Sequence, residues 1–139
     1  MKKLKTPAEE KWSENDSHDF IDYGKYFIPQ RAYQIRTICD LISPSEGEFH
    51  IIDLCCGEGL LAGALLNRFP NCIVHGYDGS EAMLQKATEN LSEFGHRFKP
   101  QQFDLAASDW RKPALPIGGV VSSLAIHHLD DSQKQVLFN

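Results

Sequence analysis

Residues 50–69 read HIIDLCCGEGLLAGALLNRF, and the fold follows from how that stretch is parsed. Ile51, Ile52 and Leu54 form the apolar run of a buried strand. Cys55-Cys56-Gly57-Glu58-Gly59 is a tight turn. Leu60, Leu61, Ala64, Leu65 and Phe69 return a helical face to the sheet, and Pro70-Asn71 ends that helix. A strand that feeds a helix through glycines leaves backbone N–H groups beside open space, where a ligand can approach closely.

The same alternation extends in both directions. Upstream, Ala32 to Ile42 carries Ile35, Ile38, Cys39 and Ile42 at helical spacing, and Ser43-Pro44 stops it. Downstream, Cys72–Tyr77 is a second strand, ending at Asp78. Ser80 is a good N-cap for a helix predicted to reach about Phe94, with Met83, Leu84, Ala87 and Leu91 buried and Gly95 as its C′ residue. Pro100–Phe103 is a weaker third strand before Asp104, and Val120–Leu124 a fourth. Asp130 or Asp131 caps a last helix. Strands alternating with helices predict an α/β fold with a parallel sheet, whose ligands bind at the carboxyl ends of the strands. The glycine turn, Asp78, Asp104 and the segment from Ser123 to His127-His128 stand at those ends.

Length and composition narrow the classes. At 139 residues the chain reads as one domain, in which 1–27 is an N-terminal arm with an aromatic lid and 28–139 the core. Phe20, Tyr23, Tyr26 and Phe27 read either as a hydrophobic cover on the core or as a flap over a ligand. A formal net charge of −5 argues against a non-specific nucleic-acid binder. Cys39, Cys55, Cys56 and Cys72 make no C-x-x-C pair and read as reduced packing thiols, so no metal site is expected. No apolar stretch approaches the ~20 residues of a membrane span. MKKLKTPAEEKW lacks the apolar core of a secretory signal, and a cytoplasmic protein is expected.

Asp78 lies 19 residues past Gly59, placed to accept hydrogen bonds from both hydroxyls of a ribose; the plain alternative is a turn aspartate. Asp104 can accept from an exocyclic amine such as that of adenine, with the Leu105 backbone N–H beside it. Gly57 to Ala62 matches the G-x-G-x-x-A dinucleotide pattern, but Asp53 before the turn and Glu58 within it would repel a pyrophosphate. Carboxylates there suit a ligand bearing an α-ammonium and a sulfonium.

Residues 53–59, DLCCGEG, resemble the D-L-G-x-G-x-G motif of class I S-adenosylmethionine-dependent methyltransferases. Residues 76–84, GYDGSEAML, resemble their G-x-D-x-S-x-x-M-L motif, and residues 124–129, LAIHHL, the H-H-L segment of the small-molecule branch. The resemblance covers residues 28–139. It implies a Rossmann-like three-layer α/β/α sandwich with strand order 3-2-1-4, ending before strands 5–7. It also implies S-adenosyl-L-methionine as cofactor and a small-molecule methyl acceptor. Asp53 would orient the turn and the cofactor's amino group, with backbone contacts from Cys55, Gly57 and Gly59. Asp78 would hold the ribose, Met83 would lie against the adenine, and Asp104 and Leu105 would read its edge. Leu124 would line the sulfonium, and Arg31 would meet the cofactor carboxylate. Cys55 stands where the family usually has glycine and would offer its backbone there at negative φ. His127 or His128 is the candidate base; as neighbours they point apart. An uncovered fourth-strand edge predicts a piece of a longer sheet, or a homodimer that completes it. The rival readings are a catalytically inactive cofactor-binding interaction module and a nicotinamide-dinucleotide-dependent reductase.

Overall fold

The computed structural model describes residues 13–15, 17, 18, 30–123 and 125–139, apart from the side chain of His128. The expected aromatic lid at Phe20, Tyr23, Tyr26 and Phe27, and Leu124, lie outside the described residues. Four parallel strands form one sheet in the order β3-β2-β1-β4, where β1 is Phe49–Leu54, β2 Cys72–Asp78, β3 Phe98–Gln102 and β4 Gly119–Ser122. The central strand β1 runs in register with β2 from Phe49↔Cys72 to Leu54↔Tyr77, and with β4 from Ile51↔Gly119 to Leu54↔Ser122. This is the expected order and fold class.

Side chains alternate across the sheet. Phe49, Ile51, Val74, Phe98 and Val121 share one core with residues of α1 (Arg31–Leu41), α2 (Leu60–Arg68) and α3 (Glu81–Asn90). Leu65 and Ala62 of α2 are fully buried in it. The other face gathers Ile52, Leu54 and Tyr77 with Phe103, Leu105, Trp110 and Ile117. There Arg111, in a 3-10 turn, donates to the Val136 carbonyl of α4 (Asp131–Phe138). Asp130 caps α4 through a full capping box with Gln133. On the same face His50 Nδ1 and His75 Nε2 lie 2.9 Å apart, and His50 Nε2 is 3.2 Å from Glu48. All four cysteines are free thiols, and three of them are buried, as packing residues should be.

Boundaries differ from expectation at α3. It stops at Asn90, and a 3-10 segment, Ser92–Arg97, replaces its last turn, with Gly95 at φ 55°. The cause is packing. Leu91 fills a notch in α2, where a Cβ on Gly59 would stand 2.8 Å from its Cδ1 and one on Gly63 3.1 Å from its Cδ2. The tightened chain then carries Arg97 under the end of α2. Its guanidinium donates to the carbonyls of Leu66, Phe69 and Cys72 at 2.8, 2.8 and 3.1 Å. Two of those carbonyls belong to the last turn of α2 and its C-cap, where no intrahelical partner remains. β3 also starts earlier than expected. Phe98 is buried, with its ring 2.6 Å from where a Gly76 Cβ would stand.

Replacing Arg97 by alanine removes three hydrogen bonds to backbone carbonyls, of which Phe69 alone is known to keep another donor, the Cys72 N–H. We expect a loss of about 2–3 kcal/mol of stability by urea unfolding. Arg97→Lys should recover less than half of it, because a lysine cannot reproduce the fork. A loss below about 0.5 kcal/mol for Arg97→Ala would show that water substitutes for the guanidinium.

Candidate functional site

The site is built where β1 leaves the sheet. The Cys56 N–H donates to the Tyr77 carbonyl at 3.0 Å, which ties the turn to β2, and the Gly59 N–H closes it on the Cys56 carbonyl at 3.0 Å. Cys55, Gly57 and Gly59 take positive φ, at 56°, 56° and 90°. The expected negative φ at Cys55 is therefore corrected. Left-handed backbone costs a non-glycine residue roughly 1–2 kcal/mol, and the ties of Cys56 and Gly57 to β2 hold it in place.

Asp78, at the tip of β2, holds the turn. Its Oδ2 accepts from the Gly57 N–H and its Oδ1 from the Ser80 N–H, both at 2.9 Å. Burial raises its pKa; those two N–H groups oppose the rise and Glu14 adds to it. Each carboxylate oxygen keeps a second lone pair for a ligand hydroxyl. Asp53 lies deeper, 1% exposed, with Oδ2 lacking any hydrogen-bond partner. Burial first, and then the field of Asp78, push it up to about 8; the Ala62 N–H of α2 opposes them. Cys55 is pushed up to about 12, and Cys56 higher still, chiefly by burial. Both are therefore thiols and poor nucleophiles.

Met83 and Arg31 lie by the turn, and Asp104 follows a residue bonded to the tip of β2. Met83 is 2% exposed, its Sδ 4.0 Å from where a Gly57 Cβ would lie, so it forms the floor beneath the turn. Arg31 opens α1; burial lowers its pKa, while the turn residue Glu58 raises it. That places a guanidinium within the field of the turn. Asp104 is exposed one rim position along, its Oδ1 accepting from the Ala106 N–H at 2.9 Å. The Phe103 N–H donates to the Asp78 carbonyl at 3.1 Å, which sets the two tips side by side. Leu105 packs beneath them in the second cluster. His127 is exposed on the 3-10 turn Ile126–His128 that follows β4.

Sequence reasoning missed one contact of the arm. Ser17, fully buried, donates to Ser80 Oγ at 2.8 Å, and Ser80 Oγ donates to Glu14 at 3.1 Å. The Glu81 N–H donates to the other Glu14 oxygen at 3.2 Å. A carboxylate is favourable at this helix start, but a contact 63 residues apart leaves no periodic signal.

The donor set suits a cation. A buried carboxyl with an unused oxygen beside a second carboxylate would repel a pyrophosphate and attract an ammonium. Positive-φ backbone at the turn brings main-chain groups to the same space.

The profile of the family described as "methyltransferase domain" matches residues 51–139. Among curated proteins, the chain is similar to trans-aconitate 2-methyltransferase of Acidovorax sp. strain JS42, 50% identical over 67 residues, covering 48% of this chain and 24% of that protein. It is also similar to release factor glutamine methyltransferase of Synechocystis sp. strain PCC 6803, 34% identical over 85 residues, covering 60% of this chain and 27% of that protein. Among solved structures, phosphoethanolamine N-methyltransferase 2 of Haemonchus contortus, in complex with S-adenosyl-L-methionine, superposes with a TM-score of 0.65 at 21% identity. The match covers 98% of this chain and 32% of that one. A solved protein of Methanococcus maripaludis gives 0.67 at 18% identity, covering 99% and 61%. These structural likenesses establish the fold. The chain spans about a quarter to a third of the length of the first curated relatives it matches.

The raised pKa of Asp53 fixes the sign of a pH effect. Folding takes up a proton between the ordinary carboxylate range and about 8, so stability contributed by Asp53 falls as pH rises through that window, by at most about 1.4 kcal/mol per unit. Asp78 acts in the same direction. His75 is lowered by burial and by His50 and Lys99; it opposes them only below its ordinary range, since its contribution rises with pH there. We expect Asp53→Asn to leave stability nearly unchanged below about pH 4 and to raise it increasingly above that, by a few kcal/mol at pH 8. Parallel wild-type and variant curves in urea unfolding from pH 6.5 to 8 would show that Asp53 is already ionised.

Proposed function

Because this chain belongs to the class I S-adenosylmethionine-dependent methyltransferase domain family, we propose that it transfers a methyl group from S-adenosyl-L-methionine to a small-molecule acceptor by in-line displacement. The observation that carries the reading is the pair of carboxylates, Asp53 and Asp78, at adjacent strand tips against a positive-φ turn. When bound, the cofactor supplies an electrophilic methyl group on a sulfonium, so the protein's task is chiefly alignment. Asp78 accepts from the ribose hydroxyls with the lone pairs that Gly57 and Ser80 leave unused. Asp53 faces the amino group, and the backbone of Cys55, Gly57 and Gly59 cradles the methionyl chain. Met83 packs on the adenine, Asp104 and Leu105 take its edge, and the sulfonium is assigned to Leu124 by the motif resemblance alone. Arg31 meets the cofactor carboxylate, a role supported by its half-buried place in the field of the turn.

The acceptor side is set by the segment after β4. His127 or His128 takes a proton from a poor nucleophile; for a good one, positioning suffices, worth on the order of 7–11 kcal/mol. The net charge of −5 favours a small acceptor over nucleic acid, and a cytoplasmic setting fits the free thiols. Among the described residues no helix is long and apolar enough to cross a membrane. β4 pairs on one side only among the described residues, with Val120 55% exposed, and a homodimer joined there would cover that edge.

Titration calorimetry tests the cofactor reading. S-adenosylmethionine should bind, and NAD should not. Asp78→Asn should weaken binding roughly 10- to 100-fold, the loss of charge-assisted hydrogen bonds to the ribose. Circular dichroism should confirm that the variant folds. No heat with S-adenosylmethionine, or unchanged affinity in the variant, would overturn the assignment.

A further inference from the structure

Asp53 is more deeply set than a hydrogen-bonding residue needs to be. It is 1% exposed and one carboxyl oxygen meets no partner. The groups facing it come from four sides. From β2 comes Asp78, a like charge; from α2, the Ala62 N–H. From the turn come Cys55 and Cys56, whose thiols are pushed up partly by Asp53 itself. From β4 its register partner is the apolar Val121. Among the described residues, the charged groups that act one step further out bring no cation that lowers the pKa of Asp53. Arg31 is set against Glu58, and Glu14 of the arm adds negative charge at Asp78. An ionised carboxylate here would be buried, beside a second carboxylate, with an oxygen unsatisfied. Each of those conditions favours the neutral acid.

We propose that Asp53 stays protonated until a cationic amino-acid group enters beside it, so that binding of S-adenosylmethionine expels one proton and the turn selects ligands by their α-ammonium. The inference rests on the cofactor reading given above and adds the charge state of the site to it. The step balances simply. The O–H bond of the Asp53 carboxyl breaks, its electron pair stays on the oxygen, and the proton leaves to water as the ammonium arrives. The buried carboxylate is then balanced by the ammonium on the turn, either directly after a small opening of the turn or through one water. A ligand lacking the ammonium leaves the proton in place and forgoes that ion pair. The turn therefore distinguishes an adenosyl amino acid from a plain adenosyl thioether by charge as well as by shape.

Calorimetry at pH 6.5 in buffers of different ionisation enthalpy counts the protons directly. At that pH the ligand's own α-amine, with a pKa of roughly 7.7–8.0, stays protonated and does not confuse the count. Close to one proton should be released with S-adenosylmethionine and with its demethylated product, and none with 5′-methylthioadenosine. Affinity for S-adenosylmethionine should rise close to tenfold per pH unit from pH 5.5 to 7. Asp53→Asn should abolish both the release and the slope. Binding of S-adenosylmethionine with no proton release overturns the inference and leaves the cofactor reading standing. The same holds if Asp53→Asn releases as many protons as wild type, which would assign the acid to Asp78. Absence of binding at every pH overturns both.

Discussion

The hydrogen bond from the Gly57 N–H to Asp78 is the constraint around which the site is arranged. It joins the turn after β1 to the tip of β2, so neither can be placed without the other. The Cys56 N–H makes a second tie to the same strand, through the Tyr77 carbonyl. Between these two anchors the backbone has little freedom. The left-handed conformation of Cys55, unfavourable for any side chain with a Cβ, is a consequence of that closure. The strain is local, and the parallel pairing of β1 with β2 holds it over six residue pairs.

The turn is supported from beneath by a second device. Gly59 and Gly63 leave a notch on α2, and Leu91 enters it. This fixes where α3 must end, and the 3-10 segment that follows brings Arg97 to the carbonyls at the end of α2. Met83, on the same helix, then reaches the underside of the turn near Gly57. Packing at Leu91 thus sets both the C-terminal satisfaction of α2 and the floor of the site. The arm adds a third support, since Glu14 and Ser17 meet Ser80 at the start of α3, two residues from Asp78.

What the sequence disclosed and what it concealed divide along a physical line. Strands β1 and β2 are apolar runs with Asp53 next to the end of one and Asp78 at the end of the other, and the helices that follow them carry period-3.6 faces. Such patterns are local, so the parallel α/β class and the rim of carboxylates were legible from them, whereas strand order came only with the family resemblance. The early end of α3 was not, because Leu91 turns inward for a contact with Gly59 and Gly63 rather than for any helix-stop residue of its own. Gly95 does take positive φ, but inside the 3-10 segment rather than as a helix cap. The sign of φ at Cys55 was concealed for the same reason. It is set by two hydrogen bonds to another strand, and the residue type pointed the other way. The pairing of His50 with His75 depends on the register of β1 against β2, which no spacing within either strand reveals. Leu124 and the side chain of His128 lie outside the described residues, so the acceptor side rests on the sequence.

The two edges of the sheet differ in their side chains. β3 carries Lys99 and Pro100; a proline cannot donate to a further ladder, and a lysine discourages pairing. β4 has neither guard. Val120 is 55% exposed on the face shared with Ile52 and Leu54, while Val121 on the other face is buried in the main core. An edge with an apolar residue open to solvent and no guard is built to be covered, whereas the β3 edge is built to end the sheet. The two aspartates lie on β1 and β2, inside both edges, while His127 follows β4, the strand at the unguarded edge.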